Sequence, residues 1–148
     1  MTRIFEMTGQ MRRGTNMIAG LLRSGLPLGP LMLLSVRGRK TGVERTTPVA
    51  VLRYQGDRWL VAAFGEVGWV RNIRASGAAT LIRGRRAEPI RVVKLKPAEA
   101  APVLKQYFKT FRIVPFMRPY FEVTPDAPLA DYQREALNHP VFRIARSG

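Results

Sequence analysis

A chain of 148 residues with 25 lysines and arginines against 10 aspartates and glutamates carries a formal charge of +15, which suits one domain with anionic partners. The absence of cysteine excludes disulfides, thiolate catalysis and cysteine-ligated zinc, and a single histidine excludes a multi-histidine metal centre. The carboxylates are scattered without metal-ligand spacing, so no dedicated metal site is expected, and a reducing cytoplasm is the expected compartment.

From the N-terminus, Ile4, Met7, Met11, Ile18 and Leu21 recur at helical spacing with Arg12, Arg13 and Arg23 between them. That spacing predicts an amphipathic helix over residues 1–26. Gly9, Gly14 and Gly20 each cost such a helix roughly 1 kcal/mol relative to Ala, so it must lean on something else. Two supports are open: an anionic membrane face, with the protein peripheral at the inner membrane, or the domain that follows, which the helix would cap. Pro27 and Pro30 break the best apolar run, "LPLGPLMLLSV", well short of the roughly 20 residues of a membrane-spanning helix. No secretory signal is expected either.

From Leu31 the period shortens. "LMLLSV" reads as a strand ending in the turn "RGRKTG", and "TTPVAVLRY", "QGD" and "RWLVAAF" read as a hairpin. Pro48 lacks an amide hydrogen, which places it on an edge strand or at a bulge. "GWVRNIRASG" predicts a short helix closed by Gly77, and "AATLIRG" with "RRAEPIRVVKLK" a second hairpin around Gly84. "KPAEAAPVLKQYFKTF" predicts a helix opened by Pro97, with Pro102 either at a kink or at the true start. "FRIVPFMRPYFEVTPDAP" is too rich in proline and aromatics to assign, "LADYQREALN" reads as a helix, and "HPVFRIA" as a last strand. Mostly antiparallel strands with short flanking helices predict an α+β barrel or roll, a single domain over residues 1–148, and not a βαβ nucleotide fold. "GRKTG" is no phosphate loop, because Arg39 stands where that motif requires glycine.

The stretch "SVRGRKTGVERTTPV" crowds Arg37, Arg39, Lys40 and Arg45 around one turn. Turn chemistry alone needs no such charge, so these side chains either face water or hold an anion. The order "LLSVRGRKTGVERTTPVAV", "WLVAAFGEVGWVRNIRASG" and "HPVFRI" resembles the deazaflavin-dependent nitroreductases, flavin and deazaflavin oxidoreductases built on a split β-barrel of FMN-binding type. The most specific part of that resemblance is G-R-K-[ST]-G-x-x-R-x-x-P followed by W-x-x-N.

The resemblance implies that the chain binds the deazaflavin coenzyme F-420, with FMN as the alternative. Arg39, Lys40, Thr41, Arg45, Thr46, Thr47 and Pro48 would then meet the phosphate and acidic tail. A second wall would comprise Ala62, Ala63, Phe64, Gly65, Trp69 and Asn72, where small residues let main-chain N–H groups approach a planar ring. For Trp69 and Asn72 the competing reading is plain packing. The resemblance further implies hydride transfer to an apolar acceptor such as a quinone, with nitroaromatics as opportunistic substrates and the cofactor carrying the chemistry. Tyr107, Phe111, Phe116, Tyr120 and Phe121 are candidates for the acceptor wall, and Tyr120 for a catalytic hydrogen-bond donor; core packing is the alternative for all five. His139 is expected to order the last strand. Relatives of this type commonly form homodimers. Two other function classes remain: a non-catalytic carrier for a cofactor or fatty acid, and a nucleic-acid binder. The last rests on charge alone, with no recognition motif, so no nucleic-acid partner is expected.

Overall fold

The computed structural model describes residues 17, 19–21, 31–63, 65, 67–111, 123–124 and 126–146. Seven strands form one antiparallel sheet: β1 (Leu31–Arg37), β2 (Glu44–Ala50), β3 (Leu52–Tyr54), β4 (Asp57–Val61), β5 (Ala78–Arg83), β6 (Arg86–Lys94) and β7 (Val141–Arg146). Helix α1 (Gly68–Ser76) follows β4, α2 (Pro97–Thr110) follows β6, and α3 (Leu129–Glu135) precedes β7. The strand order is β2-β1-β5-β6-β7-β4-β3, so the two edges are strands that only Val51 separates in the chain. Laid flat, such edges would stand about 30 Å apart at about 4.8 Å per strand, and one residue spans at most about 3.5 Å. The sheet must therefore curl until its edges meet, which makes a barrel split between β2 and β3. This is the α+β split barrel expected from the sequence.

Strand alternation sorts the core into an inside and an outside. Leu34, Val36, Val49, Leu60, Ile90, Phe142 and Ile144 fill the barrel together with Val70 and Ile73 of α1. On the outer face Trp59, Val61, Ala63 and Val141 pack under α2 and α3 through Leu104, Tyr107, Phe108 and Tyr132. On another outer face Ala19 sits on Leu33, Leu31 and Ile82, while Met17 and Leu21 are exposed. Ala19–Leu21 and Met17 are helical; the rest of the predicted N-terminal helix lies outside the described residues.

Several local expectations hold. Pro48 lies on the edge strand β2 opposite Leu33, where a missing amide hydrogen costs least. Gly77 ends α1 with φ 69° and donates to the Ile73 carbonyl at 2.7 Å. Pro97 opens α2, with the Lys96 amide donating to Glu99 Oε1 at 3.3 Å, and Pro102 is accommodated inside the helix on its exposed side.

Candidate functional site

The β1–β2 turn is built tightly. The Gly38 amide donates to the Val43 carbonyl at 2.8 Å, the Gly42 amide to the Gly38 carbonyl at 2.9 Å, and the Val43 amide to Thr41 Oγ1 at 3.2 Å. Gly42 turns the chain at φ 74°, and a Cβ on Gly38 would meet Thr41 Oγ1 at 3.0 Å and the Val43 carbonyl oxygen at 3.1 Å. Glycine is therefore favoured at both positions, and the turn holds Arg37, Arg39, Lys40 and Arg45 exposed at one barrel end. Its one carboxylate, Glu44, accepts a 2.7 Å hydrogen bond from Ser35 Oγ. Among the described residues, no ion pair engages Arg37, Lys40 or Arg45.

Asn72 ties this turn to α1. Its buried Oδ1 accepts the Arg39 backbone amide at 3.2 Å and the Arg39 guanidinium, through Nη1, at 2.9 Å. One side-chain oxygen therefore fixes both the backbone and the charge of Arg39. The two halves of the sequence motif, 33 positions apart, are in direct contact. The first turn of α1 itself carries no acidic residue.

The crossing from β4 to α1 forms the second wall. Ala62 and Ala63 are buried, and Gly65 holds φ 89°, a conformation that favours glycine. The amides of Ala62, Ala63, Gly65 and Val67 donate to the carbonyls of Pro140, Val61, Ala62 and Gly65 at 2.8–3.0 Å. In this conformation the segment presents small side chains and a close backbone, while the N–H groups expected to meet a ring are already engaged. The loop before β7 holds the crossing in place. His139, 1% exposed, donates from Nδ1 to the Ala62 carbonyl at 2.8 Å, and its Nε2 lies 3.4 Å from Oε1 of buried Glu135.

The other expected site residues divide by location. Thr41 and Thr46 are exposed and Thr47 and Pro48 half-buried, continuing the cationic turn along edge strand β2. Trp69 is half-buried, its ring 6.3 Å from that of Phe142 and tilted. Tyr107 sits in the outer core, in the same cluster as Ala63, 4.6 Å from the half-buried Phe111 ring, and burial pushes its hydroxyl pKa well up. Phe64, Phe116, Tyr120 and Phe121 lie outside the described residues. Sequence reasoning passed over Glu135 and saw His139 only as a strand organiser. The available signal was a lone His-Pro pair directly before a strand, which marks a loop forced close to its neighbour. The donor set fits a long polyanion: several exposed cations, one pinned to a helix, beside a crossing of small residues.

Residues 6–113 match the family described as F420H(2)-dependent quinone reductase. No curated protein sequence matches. Among solved structures, the chain is similar to one described as a domain-swapped dimer, with TM-score 0.57 and 16% identity over 88% of this chain and 95% of that one. An F420-H2 dependent reductase aligns with TM-score 0.53 and 18% identity over 78% and 94%. An FAD-binding protein of Mesorhizobium loti aligns with TM-score 0.50 and 10% identity over 89% of each chain. At these identities the structures speak for the split-barrel fold.

Proposed function

The chain belongs to the F420H(2)-dependent quinone reductase family, and from that premise we propose that it reduces a quinone, with nitroaromatic compounds as occasional acceptors. It is an oxidoreductase whose coenzyme is F-420. When bound, the reduced deazaflavin supplies the hydride, which leaves binding, orientation and exclusion of water to the protein. Lys40 and Arg45 hold the phosphodiester and carboxylates of the tail, and Thr41, Thr46 and Thr47 add hydroxyl donors along the same edge. Arg39, held by Asn72, carries its charge to the junction of tail and ring. Ala62, Ala63, Phe64 and Gly65 allow close approach of the ring, and Trp69 closes its side. Phe111, Phe116, Tyr120 and Phe121 form the acceptor wall, with Tyr120 as a hydrogen-bond donor to the acceptor carbonyl.

The observation that carries this reading is the Arg39–Asn72 contact, which joins the exposed cations to the helix that follows the small-residue crossing. Fluorescence titration should show tighter binding of oxidised coenzyme F-420 than of FMN. Anaerobically, a soluble menadione-type quinone should then oxidise the reduced coenzyme faster with protein than without. Oxidation at the protein-free rate, with both molecules shown to bind, would make the protein a carrier.

The same reading places the protein at the inner membrane face, where quinones dissolve. Exposed Met17 and Leu21, beside the packed Ala19, support it. Cosedimentation with anionic vesicles should weaken in the double variant Met17→Glu/Leu21→Glu, and unchanged sedimentation would remove the helix from that role. A homodimer is proposed as well, and light scattering after size exclusion would give the monomer mass if it is wrong.

A further inference from the structure

The second hairpin turn, "RGRR" at Arg83–Arg86, nearly repeats the "RGRK" of Arg37–Lys40, yet the coenzyme reading gives it no task. Leu33 pairs with Ile82 and Ser35 with Thr80, so Arg83 lies where β1 begins and the coenzyme turn where β1 ends. The length of β1 separates them by roughly 20 Å. Strand register there sets Arg53 directly opposite Arg58 and Arg83 directly opposite Arg86. Like charges in directly opposed positions destabilise a sheet. Both pairs nonetheless converge, with Arg85, on one cleft of about 830 Å³.

Part of that charge is engaged within the protein. Glu88, the one carboxylate of the lining among the described residues, takes Arg58 bidentately at 2.9 and 2.6 Å. Arg83 donates from Nη2 to the Leu31 carbonyl at 3.0 Å. Arg53, Arg85 and Arg86 are exposed around the same space. Behind them the buried Val51 and Leu81 form the floor with half-buried Met32, so the arginines supply the polar groups of the cleft above an apolar base. The cleft lies within the size range of small-molecule sites. Guanidinium forks match the paired oxygens of a phosphate group, and several forks around one space match a group with three or more acceptor oxygens better than a lone carboxylate.

We propose that this cleft is a second anion site that binds a phosphate group, separate from the coenzyme turn, with Arg53, Arg85 and Arg86 as its ligands. The phosphate belongs either to a soluble phosphoester or to a phospholipid headgroup. Calorimetric titration of the full chain with sodium pyrophosphate, at constant ionic strength held with sodium chloride, should give saturable binding. Arg85→Gln/Arg86→Gln should weaken it about tenfold or more, the loss expected for hydrogen bonds to charged groups. Both positions are exposed, and an unchanged melting temperature will confirm that the variant folds. Lys40→Ala/Arg45→Ala should leave pyrophosphate binding at this site within about twofold of the parent, since like-charge contributions over such a distance are screened. Absence of binding, equal binding by Arg85→Gln/Arg86→Gln, or loss only in Lys40→Ala/Arg45→Ala would overturn the proposal. Phosphatidylglycerol vesicles identify the source. Cosedimentation that pyrophosphate displaces and Arg85→Gln/Arg86→Gln abolishes assigns a headgroup, and pyrophosphate binding without such cosedimentation assigns a soluble phosphoester.

Discussion

Two hairpin turns at opposite ends of the barrel carry almost the same residues, and they differ in what holds their charges. In the β1–β2 turn the anchor is a neutral amide: Asn72 fixes Arg39, and Glu44 engages Ser35. At the β5–β6 end the anchor is a carboxylate, Glu88, which partly neutralises the cluster it orders. An amide oxygen orients a guanidinium without cancelling its charge, whereas a carboxylate orients and cancels together. The anchor at the first turn therefore leaves the charge of Arg39 undiminished, whereas at the second Glu88 cancels part of the charge it orders.

The largest separation between the two turns should appear in coenzyme affinity. Lys40→Ala/Arg45→Ala removes two exposed cations that have no other task among the described residues, and each should cost about 1.5–3 kcal/mol of binding to an anionic tail. Fluorescence titration should thus show a loss of about a hundredfold or more, with an unchanged melting temperature. Arg85→Gln/Arg86→Gln should leave the same titration as it was. Equal losses from both variants would mean that bulk charge, not the built turn, recruits the coenzyme.

Stability should show the reverse ranking. Glu88→Gln leaves Arg58, its side chain 20% exposed, opposite Arg53 without its bidentate partner. Glu88 itself is 38% exposed, so water softens the loss, and about 1–2 kcal/mol is expected in urea unfolding. Coenzyme affinity should not change. If Glu88→Gln unfolds at the parent's urea midpoint, the clamp does not hold this end of the barrel.

Asn72→Ala tests the neutral anchor, with a smaller effect on both readouts. Arg39 is exposed, so water replaces the lost amide oxygen, and about 1 kcal/mol of stability should go. Coenzyme binding should weaken several-fold because Arg39 no longer has one position, while Asn72→Asp should restore the geometry at the cost of cancelled charge. An Asn72→Asp variant that binds the coenzyme better than the parent would refute the distinction between orienting and neutralising.

This distinction was half legible in the sequence. The turns at 55–56 and Gly84, Gly77 as a helix stop and Pro48 at an edge follow from local periodicity and backbone chemistry, which act over a few residues, whereas the one strand expected over "TTPVAVLRY" is two, β2 and β3, broken at Val51 and placed on opposite edges by the closure of the barrel. The motif also placed Arg39 and Asn72 in one site, but as two separate contacts to a ligand. That they meet each other depends on how α1 docks over the end of β1, a tertiary fact with no local signature. His139 was partly hidden: Glu135 lies only four residues before it, but the Ala62 carbonyl becomes its neighbour only when β7 inserts between β4 and β6.

The smallest expected effect is a difference of zero, and it guards the comparison against a common cause. Burial raises the Tyr107 hydroxyl, and burial with the nearby Asp126 and Glu135 carboxylates pushes Tyr132 up to about 12. A tyrosine in the unfolded chain titrates near 10, so below that pH neither state loses its proton and the contribution to stability is complete. Between about pH 10 and 12 the unfolded state sheds protons that the folded state keeps, and stability falls as pH rises. Both hydroxyls lie in the outer core under α2 and α3, away from either turn. Urea midpoints measured from pH 8 to 11 should decline along parallel curves for the parent, Lys40→Ala/Arg45→Ala and Glu88→Gln, the last displaced downward by a constant amount. Tyr132→Phe removes the ionisable group together with its 2.8 Å hydrogen bond to the Thr124 carbonyl, and should give a lower but flatter curve. Curves that converge for Glu88→Gln alone would show the clamp itself yielding at alkaline pH, and would place the weak point of the barrel at the arginine cluster instead of the helix-covered core.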